Sequence, residues 1–91
     1  MYGFEIDIYA IEKGEEGEVL EKDIFSSYDS NAVYESQQEA ESHIKREFDE
    51  MMLEAEALTT CELDHEILVY YHNPETNRYQ YEKYEVEEEE N

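Results

Sequence analysis

The side chains in this chain that could do chemistry are carboxylates above all, 22 Glu and 5 Asp among 91 residues. Pairs of them could serve as general acid and base almost anywhere along the sequence. That ubiquity empties the idea, because such a pair needs a pocket that holds it against a substrate and drives its two pKa values apart. Cys61, His65 and His72 are the residues suited to metal or nucleophilic work, and they fall on or beside one predicted strand. Side chains alternate along a strand, so Cys61 and His65 share a face while His72 takes the other, and the three do not converge on a zinc ion. Cys61 has Glu62 and Asp64 beside it and no basic neighbour, the reverse of the electropositive setting a reactive thiolate needs. For calcium, Glu15-Glu16-Gly17-Glu18 is too short a loop and Asp29-Ser30-Asn31 has no downstream acid in register. No phosphate-cradling glycine loop and no nucleophile elbow occurs. The expectation is a protein that is not an enzyme, with no catalytic residues, no cofactor and no metal.

Tyrosine is the second unusual supply. There are nine, and Tyr70, Tyr79, Tyr81 and Tyr84 crowd one predicted hairpin. Cross-strand packing with the hydroxyls in water is the ordinary explanation. The functional one is a contact surface, since tyrosine is enriched at binding hot spots and stacks on arginine.

These residues must be positioned by few elements. Residues 2–12 alternate, with Tyr2, Phe4, Ile6, Ile8 and Ala10 on one side and Glu5 and Asp7 on the other, which predicts a half-buried strand. Gly14 and Gly17 in a polar run predict a turn into a second strand over 19–28, whose slipping parity predicts a bulge. Ser36-Gln37-Gln38-Glu39 is a capping box, and Ala40, Ile44, Phe48, Met51, Met52, Ala55 and Leu58 then recur at helical spacing, predicting a helix over 37–58 that could start as early as 30–31. A third strand is expected over 61–72, and a fourth over 78–86 after a turn at Pro74 and Asn77, with an irregularity near Glu82 and Lys83. The predicted architecture is a small two-layer α+β domain over 1–86, ββαββ, in which one helix covers one face of a twisted antiparallel sheet. Residues 87–91 are expected to form an acidic, solvated tail.

Charge then restricts partners. A net charge of −21 repels DNA, RNA and anionic membrane surfaces, so direct nucleic-acid binding is excluded and a basic groove becomes the natural receptor. The preponderance of Glu over Asp and the abundance of Tyr argue against halophilic adaptation. One cysteine excludes an internal disulfide framework, and no signal peptide or 18-residue apolar run occurs, so a cytoplasmic protein is expected. If the helix covers the Phe4 side of the sheet, Glu5 and Asp7 with Glu62, Asp64 and Glu66 make the other side acidic. On the helix, Glu47, Glu50 and Glu54 form a row along one flank, with neighbouring Cβ atoms about 5–6 Å apart, and Asp49 and Glu56 lie on the other flank. Only Lys45 and Arg46 balance seven acids from Glu39 to Glu56, whereas an ordinary wet helix face interleaves both signs.

In composition and layout the chain resembles the acidic DNA-mimic inhibitor proteins of phages and mobile elements, a group that includes anti-restriction proteins, uracil-DNA glycosylase inhibitors and anti-CRISPR proteins. The carriers are the glutamates from Glu12 to Glu21, the helical set Glu39, Glu41, Glu47, Asp49, Glu50, Glu54 and Glu56, and the end from Glu82 to Glu90. The likeness is one of charge and size across the whole chain. No shared motif exists, and the group has no common fold. It implies a stoichiometric inhibitor, monomeric or a small homo-oligomer, that fills the basic nucleic-acid channel of a host-defence nuclease, a CRISPR effector first. The expected contact residues are Glu15, Glu16 and Glu18 of the first turn, Glu39, Glu47, Asp49, Glu50, Glu54 and Glu56 of the helix, and Tyr70, Tyr79 and Tyr81. An immunity protein or antitoxin of a nuclease toxin uses the same electrostatics, and an acidic scaffold subunit without mimicry is the alternative from another class.

Overall fold

Five elements carry the chain in a computed structural model that describes residues 1–86: β1 (Tyr2–Lys13), β2 (Val19–Asp29), α1 (Gln37–Leu58), β3 (Glu62–Asn73) and β4 (Arg78–Lys83). The expected tail at 87–91 lies outside the described residues. The strands make one antiparallel sheet in the order β2-β1-β3-β4, and α1, which joins β2 to β3, packs on one face of it. This is the two-layer ββαββ arrangement that the pattern of the sequence predicts.

β1 is central because it is the apolar strand. Phe4, Ile6 and Ile8 are fully buried and meet Ala40, Ile44 and Ala55 of α1 and Ile67 and Val69 of β3. Each large side chain buried this way contributes roughly 1.5–3 kcal/mol. α1 lies over β1 and β3, so β2 is left nearly bare and Val19, Leu20, Ile24 and Phe25 are exposed. The expected bulge is present: Ile8 pairs with Ser26 and Tyr9 with Ile24, leaving Phe25 as the extra residue.

Helix α1 starts at Gln37 and not near 30–31, because Tyr34 is tied to Tyr2 by two backbone bonds of 2.7 and 3.0 Å. Ser36 is the N-cap, its Oγ accepting from the Glu39 N–H at 3.1 Å. The Glu39 carboxylate accepts from the Glu35 N–H at 3.4 Å, one residue earlier than a capping box requires. Ser36→Ala should therefore lower stability by about 1 kcal/mol, read as a lower urea midpoint at unchanged slope. Leu58, expected in the core stripe, is 70% exposed, because it lies at the β2 side of α1, where it lines an open groove with Phe25 while Ala55 of the same turn is buried.

The turns follow their chemistry. Gly17 (φ 84°) and Asn77 (φ 55°) take left-handed conformations in the two hairpin turns. β4 ends at Lys83 and not at residue 86. The irregularity expected near Glu82 and Lys83 does not occur: β4 pairs with β3 in unbroken register from Asn73↔Arg78 to Leu68↔Lys83, the Tyr84 N–H continues that ladder by donating to the Ile67 carbonyl at 2.9 Å, and ordinary alternation turns Tyr84 against the core, with Val86 packed there too.

Candidate protein-binding surface

The register fixes which side chains share the face away from α1. Glu5 stands opposite Asp29 on β2 and Leu68 on β3; Asp7 is opposite Ser27 and Glu66; Tyr9 is opposite Asp64; Ile11 is opposite Glu62. Tyr70 pairs with Tyr81 and His72 with Tyr79 on the same face. Six carboxylates, Glu5, Asp7, Asp29, Glu62, Asp64 and Glu66, thus stand on three adjacent strands, and Asp7 and Glu66 oppose each other directly. Like charges directly opposite destabilise a sheet.

The basic residues neutralise only one end of this face. Lys13 reaches Glu62 at 2.7 Å, and Lys22 reaches Asp64 at 3.0 Å with its ammonium 4.7 Å from the centre of the Tyr9 ring. Among the described residues the third ion pair, Arg46 to Glu50 at 3.6 Å, is on α1. Among the described residues Glu5, Asp7, Asp29 and Glu66 form no ion pair. Asp7 accepts from Ser27 Oγ at 2.7 Å, and Asp29 accepts from the Tyr70 hydroxyl at 2.7 Å and the Asn31 N–H at 2.8 Å.

The tyrosines stand beside these acids. Tyr70 is 4% exposed, with Tyr79 and Tyr81 packed on it at 5.7 and 5.5 Å between ring centres. Its ring covers Gly3, where a Cβ would come within 2.7 Å of the phenol. Tyr79 and Tyr81 remain about half exposed, their rings inclined by 20° to each other. Burial and the neighbouring Asp29 push the Tyr70 phenol far above its ordinary range, and burial with the charges of Glu5, Tyr79 and Asp29 raises Tyr81. Two exposed rings over an unneutralised anionic floor can receive a guanidinium by stacking and by bidentate pairing.

Burial, then the charges of Asp29 and Asp7, raise the Glu5 carboxyl above its ordinary value; a hydrogen bond and charge from Asp23 with the charge of Glu12 raise Glu21. A raised carboxyl means that the native state binds more protons than the unfolded chain as pH falls toward the ordinary carboxylate range, so stability grows in that direction. Asp64 acts in the opposite sense. The His65 N–H and Lys22 hold it low, and its contribution is lost only below the ordinary Asp value. The melting temperature should therefore rise as pH is lowered from 7 to about 5, by less in Glu5→Gln, as differential scanning calorimetry would show.

The other expected contact residues are dispersed. Glu15, Glu16 and Glu18 sit exposed at the tip of the first hairpin, where Glu18 accepts from the Glu16 N–H at 3.1 Å. That tip is about 33 Å along β1 from Gly3. Glu39 is engaged at the helix cap. Glu47 lies near Tyr28, and Glu54 lines a groove with Phe25, so the Glu47, Glu50 and Glu54 row faces the β2 side; Asp49 and Glu56 are exposed on the opposite flank. Tyr70 differs from its expected role. It is the floor of the tyrosine cluster, with its hydroxyl engaged by Asp29, and the accessible rings are Tyr79 and Tyr81. His65 and His72 lie on opposite faces as their parity requires, against Phe48 at 4.6 Å and Tyr79 at 4.5 Å. Sequence reasoning places Glu5, Asp7 and Glu66 on this face but misses Asp29, weighed there only as part of a calcium loop, and Gly3.

No protein-family model matches this chain, and neither the curated proteins nor the solved structures include one that matches it. Among the described residues no helix is long and apolar enough to cross a membrane.

Proposed function

We propose that this chain is a polyanion mimic that binds one-to-one in the basic nucleic-acid channel of a host-defence nuclease, in the cytoplasm of an infected cell, and so keeps target DNA out. The observation that carries the reading is the unneutralised end of the open sheet face, where Glu5, Asp7, Asp29 and Glu66 stand beside the exposed rings of Tyr79 and Tyr81. Tolerating Asp7 directly opposite Glu66 costs stability in the free protein, and a cationic receptor would reverse that cost. Carboxylates from the hairpin tip to Glu5 cover about 26 Å of strand, roughly three quarters of the 34 Å or so of one duplex turn. A DNA-binding channel is lined by Lys and Arg that hold phosphates, and those groups pair equally well with carboxylates.

A CRISPR effector nuclease is the first target to test. The chain is mixed with the purified, guide-loaded effector, and mass is followed by light scattering and DNA binding by fluorescence anisotropy. The expected result is a 1:1 complex that excludes target DNA, is competed by it, and weakens steeply with salt. A complex that leaves DNA affinity untouched rejects the mechanism; where no complex forms, a host-lysate pull-down eluted with rising salt that yields no nucleic-acid-binding protein rejects the reading as a whole.

A further inference from the structure

β2 is an edge strand. Its inner side pairs with β1 from Val19 to Asp29, and among the described residues no strand pairs with its outer side. Its outward N–H and C=O groups therefore form a template for another strand. The usual protections are thin. β2 has no proline, and its one lysine, Lys22, is drawn onto the open face by Asp64. The bulge at Phe25 divides the edge into two runs, and the second of these faces α1.

On the helix side of that second run, Phe25 and Tyr28 are each 38% exposed. A groove of about 210 Å³ separates them from α1, lined by Phe25, Ser26, Met51, Glu54, Ala55 and Leu58. Glu47 lies by Tyr28 and Glu54 by Phe25, so the acid row descends beside the strand in the opposite chain direction. The lengths match: Glu47 to Glu54 advances about 10.5 Å along a helix, and Tyr28 to Phe25 about 10 Å along a strand. A strand added outside β2 presents a side chain to the helix side about every 6.6 Å, which places two or three of them along the row.

We infer that the β2 edge accepts, by strand addition, an extended cationic segment of a partner protein, with Lys or Arg at two or three alternate positions whose stems cover Phe25 and Tyr28 and whose charged ends meet Glu47, Glu50 and Glu54. Long basic side chains bury their stems while keeping the charge outward, and main-chain pairing supplies the affinity. A second copy of this chain is a poor occupant, because its own Glu21, Asp23 and Asp29 would arrive at an edge of the same sign on a body of net charge −21. This surface lies across the sheet from Glu5 and Glu66 and does not depend on the nucleic-acid-channel reading.

The test is a titration of the isotope-labelled full chain with two 11-residue probe peptides of alternating Lys and Thr, one unmodified and one N-methylated at four consecutive central amides so that neither of its edges can pair. The unmodified peptide should slow hydrogen exchange at alternate β2 amides and shift the resonances of Glu47, Glu50 and Glu54. The methylated peptide should bind at least tenfold more weakly. The triple variant Glu47→Gln, Glu50→Gln, Glu54→Gln should also bind the unmodified peptide at least tenfold more weakly while melting no earlier than the parent. Equal affinity for the two peptides, perturbation confined to β4 or the open face, or a dimer of the chain alone with β2 amides already protected overturns the inference.

Discussion

Gly3→Ala should lower the folding stability by about 1–3 kcal/mol and release Tyr70 from Asp29. A Cβ at this position meets the Asn31 carbonyl oxygen at 2.5 Å and the Tyr70 Cζ and hydroxyl at 2.7 Å. The carbonyl cannot swing away cheaply, because Asn31 is in the left-handed region (φ 65°) with its N–H held by Asp29. The phenol cannot either, since it lies between Gly3 and the rings of Tyr79 and Tyr81 and donates to Asp29. The effect has two independent readouts. Urea unfolding reports the lost stability. Alkaline titration by ultraviolet absorbance reports the phenol: in the parent, Tyr70 keeps its proton well past the ordinary tyrosine range, and in the variant it should titrate with the exposed tyrosines. The sign follows from the direction of the shift. The native state holds a proton that the unfolded chain releases near pH 10, so this contribution is complete below that pH and fades as pH rises further. An unchanged urea midpoint together with an unchanged late-titrating tyrosine would mean that ring and backbone part at no cost.

Gly3 also marks where a single sequence stops being legible. The strands announce themselves by alternation, as in Phe4, Ile6 and Ile8 against Glu5 and Asp7, because a sheet with one covered face imposes a period of two. The start of α1 is readable because Ser36 has a local job, capping the Glu39 N–H. The slip in β2 parity reads as a bulge for the same reason. What local pattern does not contain is registry between distant residues. Nothing near Gly3 shows that Tyr70 lies across it, and nothing near Asp29 shows that it ends β2 and accepts the Tyr70 hydroxyl. Nor does amphipathic spacing reveal how many strands a helix covers. Leu58 continues the stripe of Ile44 and Ala55 yet stays exposed, because α1 covers two strands of four. The acidic surface was legible in outline for the same reason that the strands were. Its division into a neutralised end and a bare end was not, since that depends on where Lys13 and Lys22 reach.

That division decides which substitutions matter most for binding. Glu5→Lys with Glu66→Lys should weaken the complex with a basic nuclease by about 100- to 1,000-fold, since two close charge pairs across an interface are each worth at least about 1.5 kcal/mol and reversal turns attraction into repulsion. The same change should not unfold the free protein. Glu5 is crowded by Asp29 and Asp7, and Glu66 opposes Asp7, so a cation at either position relieves repulsion that the fold now tolerates. Lost binding with an unchanged or higher melting temperature is therefore the signature of a contact surface. Glu47→Lys with Glu50→Lys supplies the comparison, because those residues stand on the other side of the sheet, and their reversal should alter nuclease affinity by less than tenfold. The pair on the open face should also reduce the dependence of association rate on salt, since steering scales with the charge that meets the receptor. Isothermal calorimetry and stopped-flow binding on both double variants measure this directly. If the helix-flank pair is the one that abolishes binding, the contact moves to α1; if neither does, charge on this protein has no receptor and the mimicry reading fails.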